Sequence, residues 1–183
     1  MSAPSDSAPW SSTLRRSLLE TPYFSVLLHD VRVTDGSHRE YYTIDFPGPA
    51  VAVVPCRDDE ILLVRQYRFI VDEYVWAIPS GGTVRGESLR DAARRELLEE
   101  TGYHSDSIEP LLWYYASYGC SNQRFETFIA RDLSLTDNAF DPNEVIDTRW
   151  FSRGEISELI RDNGVVDGLS LAPLAFVLLE QRR

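Results

Sequence analysis

Cysteine is scarce in this chain: only Cys56 and Cys120 are present, with no metal-ligand spacing and no third partner. Such a pair reads as two reduced thiols in a cytosolic protein rather than as a disulfide. No apolar run approaches the roughly 20 residues needed to span a bilayer, so no membrane span is expected. The opening MSAPSDSAPWSS is polar and has no apolar core segment. It does not read as a secretory signal, and the cytoplasm is the expected compartment. Positive charge is also in deficit, with 18 Lys+Arg against 29 Asp+Glu and a formal charge of −11. That argues against a surface built to neutralise a long nucleic acid or to lie on an anionic membrane. A small phosphorylated ligand stays compatible, because bound divalent cations would reverse the local field.

What is present describes an ordinary globular protein. Its 183 residues are 43% hydrophobic, 11% aromatic and 26% charged, enough for one domain with a sizeable core. Residues 1–12, rich in Ser, Pro and Ala, are expected to form a flexible tail. Residues 13–48 form an N-terminal β element, in which YFSVLLHDVRV and REYYTIDF are joined by TDGSH and its Asp-Gly turn signal. FPGP marks a break before the main body, residues 49–183. There VAVVP and ILLVRQYR read as strands around the polar turn CRDDE, followed by a WAIPSGG turn and a helix beginning near Ser88. LLWYYAS and RFETFIA read as a further strand pair separated by YGCSNQ. Ser152 with Glu155 forms a capping-box pattern for a short helix, and a last helix runs from about Ser170. Strands mixed with a few helices, without regular βαβ alternation, predict an α/β (α+β) fold with a mixed sheet flanked by helices.

One helix carries an oddity. In GGTVRGESLRDAARRELLEETGY (residues 81–103), Ser88 with Asp91 supplies a start and Thr101-Gly102 a stop. At 100° per residue, Leu89, Ala92 and Ala93 share a stripe that Glu96 and Glu100 continue, with Glu99 at its edge. Burying unpaired carboxylates is costly, and like charges at i, i+4 repel. Either this end of the helix protrudes into solvent, or cations sit among the acids. Leu97 and Leu98 flank the carboxylates, which favours a packed turn, and Mg²⁺ prefers such oxygen ligands. Arg95 is placed to orient a neighbouring carboxylate.

The stretch resembles the Nudix box, G-x5-E-x7-R-E-U-x-E-E-x-G-U, where U is usually aliphatic. Gly81, Glu87, Arg95, Glu96, Leu97, Glu99, Glu100, Gly102 and Tyr103 fill its defined positions, and Tyr103 alone departs in kind. The resemblance implies an α/β/α sandwich that cleaves a nucleoside diphosphate linked to another group, using Mg²⁺ or Mn²⁺. It implies Glu96, Glu99 and Glu100 as metal ligands, with the backbone carbonyl of Ser80, before the box glycine, as a further one. It implies Glu87 and Arg95 as supporting residues that hold helix and loop together.

From about residue 20 onward the chain is similar to the ADP-ribose pyrophosphatase and nucleotide-sugar hydrolase group, through LVRQYR (63–68) and WAIPSGG (76–82). Substrate contacts implied for the first segment are Arg65, Tyr67 and Arg68. In a strand Arg65 and Tyr67 share one face and Arg68 takes the other. Trp76 is a candidate base contact, with a core position as its alternative. In DPNEVIDTRWF (141–151), Glu144 matches a late-loop acid that reaches the metals or activates water, while Pro142 stands where some relatives have a second acid. Glu99 and Glu126 are further candidates for the base, Glu126 with an ion pair as its competing role. Tyr118, where ADP-ribose enzymes often carry a Ser-Pro-Gly turn, is reminiscent of dinucleoside polyphosphate hydrolases.

The expected reaction is therefore metal-dependent hydrolysis of a nucleoside diphosphate sugar to a nucleoside monophosphate and a sugar phosphate. The alternatives are dinucleoside polyphosphates or RNA 5′-triphosphate ends and, in a different class, a non-catalytic nucleotide sensor. The resemblance also implies a homodimer in which the N-terminal hairpin crosses to a second subunit. Tyr42, Ile44 and Phe46, alternating to one face of that hairpin, would suit such a contact.

Overall fold

The computed structural model describes residues 8–137 and 144–180. The chain divides into two compact units, one running to Pro47 and including Ser117–Gln123, the other comprising Gly48–Ala116 with Arg124 onward.

The first unit is a three-stranded antiparallel sheet ordered β1-β2-β3, with β1 Ser11–Glu20, β2 Ser25–Arg32 and β3 His38–Asp45. β2 and β3 are the expected hairpin, and Gly36 (φ 83°) takes the left-handed position of its turn. β1, in SSTLRRSLLE, is a strand beyond the expected hairpin, and its first two residues fall in the stretch expected as a tail. The strand has no alternation to read, because every one of its residues is exposed and two register shifts interrupt its pairing with β2. The segment 117–123 is bound to β3. Ile44 N–H donates to the Cys120 carbonyl (2.9 Å), the Tyr41 hydroxyl to that of Gly119 (2.6 Å), and Asn122 Nδ2 to the Asp45 carboxylate (2.7 Å).

The second unit is built on a seven-stranded mixed sheet. β4 (Ala50–Arg57) lies at its centre, parallel to β10 (Arg124–Arg131), in the order β12-β5-β4-β10-β9. β5 is Glu60–Arg68, β9 Ser107–Tyr115 and β12 Asp147–Ser152. The short β6 (Glu73–Ala77) and β7 (Ser80–Gly82) pair with β5 and β4. The segment expected as a single WAIPSGG turn is thus two strand ends around Ile78 and Pro79. β8 (Tyr103–His104) and β11 (Ser134–Leu135) form a separate two-stranded ladder.

Alternation along β4 feeds a core on each side. Val51 and Val53 pack with Ile108, Phe128 and the helix α1 (Leu89–Thr101) through Ala92, Ala93 and Leu97. Ala52 and Val54 pack with Ile61, Leu63, Phe151 and the helices α2 (Arg153–Arg161) and α3 (Gly168–Glu180) through Ile156, Leu174 and Val177. The result is the expected α/β/α sandwich. α2 opens on the expected capping box, the Ser152 side chain accepting from Glu155 N–H while the Glu155 carboxylate accepts from Ser152 N–H. Among the described residues no helix is long and apolar enough to cross a membrane.

One buried hydrogen bond ties α3 to the segment that leads into β7. Ser170 is fully buried, and its Oγ accepts from the fully buried Ile78 N–H at 3.1 Å while donating to Asp167 Oδ2 at 3.1 Å. Ser170→Ala leaves that N–H without its partner. Chemical denaturation is expected to show a loss of about 1–3 kcal/mol for this substitution.

Candidate functional site

α1 starts and stops where its caps dictate. Ser88 is extended (φ −74°, ψ 151°) and its Oγ accepts from Asp91 N–H, while Gly102 closes the helix in the left-handed region (φ 72°) and donates to the Leu98 carbonyl at 2.8 Å. Its inner face begins with Ala92 and Ala93, fully buried, and continues with Glu96 and Glu100, also buried. Of the two readings of the anionic stripe, the packed one holds.

Arg95 is the hub around these acids. Its Nε and Nη2 donate to the two oxygens of Glu87 (3.0 and 3.1 Å), and Nη2 also reaches the Gly82 carbonyl (2.9 Å). Its Nη1 donates to Glu96 Oε1 (2.7 Å) and to Glu99 Oε2 (3.0 Å). The side chain therefore joins the loop before α1 to three carboxylates. The Glu87 pair holds that carboxyl below its usual pKa, foremost through the Arg95 hydrogen bonds. Glu96 is shifted upward, because burial outweighs Arg95. Glu100 is pushed up to about 8 by burial, against the opposing hydrogen bonds from Ser80 N–H (3.2 Å) and Gln66 Nε2 (2.9 Å).

These groups border a cleft of about 430 Å³. α1 contributes Arg95, Glu96, Glu99 and Glu100; β7 contributes Ser80, Gly81 and Gly82; β5 contributes Gln66, Tyr67 and Arg68. Glu144, just before β12, lines the same cleft, and its charge is one of the influences raising the Glu96 pKa. Gly81 permits a close approach: a Cβ there would stand 2.1 Å from Glu96 Oε1, so a side chain at this position displaces that carboxylate.

Among the described residues, no three His, Cys, Asp or Glu side chains are grouped to hold a metal ion as they stand. The reason is visible in the contacts: the Arg95 guanidinium sits against both Glu96 and Glu99, and Glu100 is turned to Gln66 and Ser80. The donor chemistry nonetheless fits a hard divalent cation, being carboxylate and backbone oxygen throughout. A carboxylate raised to about 8 in a cleft with three other acids needs either a proton or a cation for company.

The anticipated metal ligands Ser80, Glu96, Glu99 and Glu100 thus line one cleft together with Glu144, Arg95, Tyr67 and Arg68. Glu87 stands behind it, holding Arg95. Arg65 and Trp76 are not among the lining residues. The Arg65 guanidinium lies over Tyr74 (5.4 Å to the ring centroid) and Trp76 (6.0 Å), while Trp76 meets Phe151 edge-on at 4.9 Å and packs against the core. Glu126 forms an ion pair with Arg124 on its own strand. Tyr118 belongs to the other unit, where it is 87% exposed. Pro142 lies outside the described residues. Sequence reasoning missed Gln66, which touches Glu100; the available signal was that Leu62, Val64 and Gln66 fall on one face of a strand.

A family model described as "NUDIX domain" matches residues 46–168. The chain is 28% identical over 167 residues to a CMP-5′-(N-acetyl-N-hydroxy-3-aminopropyl)phosphonate hydrolase of Streptomyces rubellomurinus, covering 91% of this chain and 81% of that protein. It is 26% identical over 157 residues to an ADP-ribose pyrophosphatase of Bacillus subtilis, covering 84% of each. A crystal structure of an ADP compounds hydrolase superposes with a TM-score of 0.82 at 22% identity, over 93% of this chain and 94% of the other.

The close approach at Gly81 gives a direct check. A carboxylate is the flexible end of its side chain, so Gly81→Ala is expected to fold with a loss of about 1 kcal/mol, measured by denaturation. A crystal structure of that variant is expected to show Glu96 displaced from its 2.7 Å contact with Arg95.

Proposed function

The chain belongs to the Nudix family and is a pyrophosphohydrolase, and on that premise we propose that it hydrolyses the phosphoanhydride bond of a nucleoside diphosphate sugar. ADP-ribose and related nucleotide sugars are the substrate class, and a nucleoside monophosphate and a sugar phosphate are the products. The observation that carries the reading is the pair of buried acids, Glu96 and Glu100, at a cleft that also holds Glu99, Glu144 and Arg68. A protruding charged helix end would need no such burial, and a passive nucleotide pocket would need no such crowd of acids.

Glu96, Glu99, Glu100 and the Ser80 backbone are the residues that would hold Mg²⁺ or Mn²⁺. When bound, such ions offset the charge of the two phosphates and make water a better nucleophile. Arg95, fixed at both Glu87 oxygens, keeps the acids of α1 in register with the loop before it. Arg68 adds a second guanidinium to the cleft wall and takes a phosphate oxygen of the substrate. Glu144 is the base: it accepts a proton from the water whose oxygen attacks phosphorus, as the bridging P–O bond breaks and its electron pair leaves with the departing phosphate. Tyr67 is braced by its hydroxyl bond to Asp72 (2.7 Å) and offers an aromatic wall beside the substrate. The remaining parts of the reading are cytoplasmic residence and a homodimer formed through the N-terminal strands.

The relatives named above act on different nucleotides, a cytidine phosphonate and ADP-ribose. Purified protein should therefore be given ADP-ribose, guanosine and uridine diphosphate sugars, a cytidylyl phosphonate and a dinucleoside polyphosphate, each with Mg²⁺ or Mn²⁺. Turnover of at least one diphosphate sugar, lost with chelator and restored by either metal, is expected; no cleavage of any would sink the proposal. Glu100→Gln is expected to keep the fold by circular dichroism and to lose at least about a hundredfold in kcat. Equilibrium sedimentation at micromolar concentration is expected to give twice the chain mass, and a monomer would remove the dimer.

A further inference from the structure

Gln66 is 3% exposed although its neighbours Arg65 and Tyr67 face solvent. It continues the buried row of Leu62 and Val64, where an apolar side chain would avoid the cost of desolvating an amide. Its hydrogen bonds are the reason for its presence. Nε2 donates to Glu100 Oε1 at 2.9 Å, and Oε1 accepts from Arg68 Nη2 at 2.5 Å. The two ends of an amide look alike, but here the partners set its orientation. A guanidinium can only donate, so the amide oxygen faces Arg68 and the NH₂ faces the carboxylate. The other Glu100 oxygen accepts from Ser80 N–H. Each carboxylate oxygen is thus held by one donor, and each retains a lone pair for a further partner.

We propose that Gln66 is a positioning residue: it fixes the plane of the Glu100 carboxylate for a divalent cation and links that carboxylate to Arg68. The inference rests on the metal-dependent reading above. Arg68 has five N–H donors, and giving one to Gln66 leaves others for a phosphate. The chain Arg68–Gln66–Glu100 thereby joins the phosphate side of the cleft to its acidic side, with no direct bond between the two charged ends. Arg68 stabilises the amide orientation that Glu100 needs.

The test is Mn²⁺ binding followed by electron paramagnetic resonance without substrate, on wild type, Gln66→Met and Arg68→Met. Gln66→Met changes no charge and is expected to weaken Mn²⁺ about tenfold, the size found when partners of metal ligands are removed. Its kcat is expected to fall by a similar factor, with KM within about threefold of wild type. For Arg68→Met the two accounts differ in sign. Deleting a cation beside a metal site tightens metal binding by Coulomb's law alone, whereas loss of the relay weakens it, here by at least about threefold. Unchanged affinity in Gln66→Met, or tighter binding in Arg68→Met, overturns the proposal. Should Gln66→Met fail to fold by circular dichroism, the exposed Arg68 carries the test alone. If wild type itself takes up no Mn²⁺, the metal reading fails and this inference goes with it. Wild-type binding that the variants leave unchanged removes only the inference.

Discussion

The site depends on the Arg95 guanidinium. Five hydrogen bonds converge on it from Glu87, Gly82, Glu96 and Glu99, so a single side chain ties the loop before α1 to the acidic turn of that helix. Without a cation between them, Glu96 and Glu99 would repel across one helical turn. An ammonium could not replace it, since only a planar fork engages both oxygens of Glu87 and still reaches two other carboxylates. The chain contains no lysine at all, so apart from its three histidines every basic side chain is a guanidinium. Arg68, Arg124 and Arg153 are used in the same manner, as fixed donors to a partner chosen by the fold.

Burial is the second constraint, and it acts against the first. Glu100 is reached by two neutral donors and no guanidinium, and its pKa rises to about 8. Glu96 rises too, despite touching Arg95. The helix thus holds acids that are individually hydrogen-bonded yet collectively over-charged, a condition that favours whatever positive group enters the cleft. Gly81 completes the arrangement by its lack of a side chain, which lets Glu96 lie directly against the β7 backbone.

Much of this was legible in the residues themselves. The bounds of α1 are legible because Ser88 and Gly102 are local signals, and the acids on its apolar stripe stand out because helical spacing alone puts them there. The unbroken apolar run of β4 fits a strand buried on both faces. Other features depended on pairing between distant segments. Alternation showed that Arg65 and Arg68 point to opposite faces, but which face holds the cleft is decided by β7 joining β4, far away in sequence. Gln66 hides between polar neighbours, and its burial is visible only once Glu100 of α1 meets it. β1 offered no pattern, since a strand exposed on both faces obeys no alternation. Strands of two to five residues, such as β6, β7 and β8, are too short to display a period.

The central position of β4 has a consequence for how the second unit comes apart. One strand supplies Val51 and Val53 to the layer under α1 and Ala52 and Val54 to the layer under α2 and α3. Neither layer can be opened without stripping side chains from the strand they share. Partial melting that frees α1 while preserving the opposite layer is therefore disfavoured, since it would expose Val51 and Val53 on the strand that both layers share. The acidic cleft thereby draws its stability from the same strand that anchors the opposite layer.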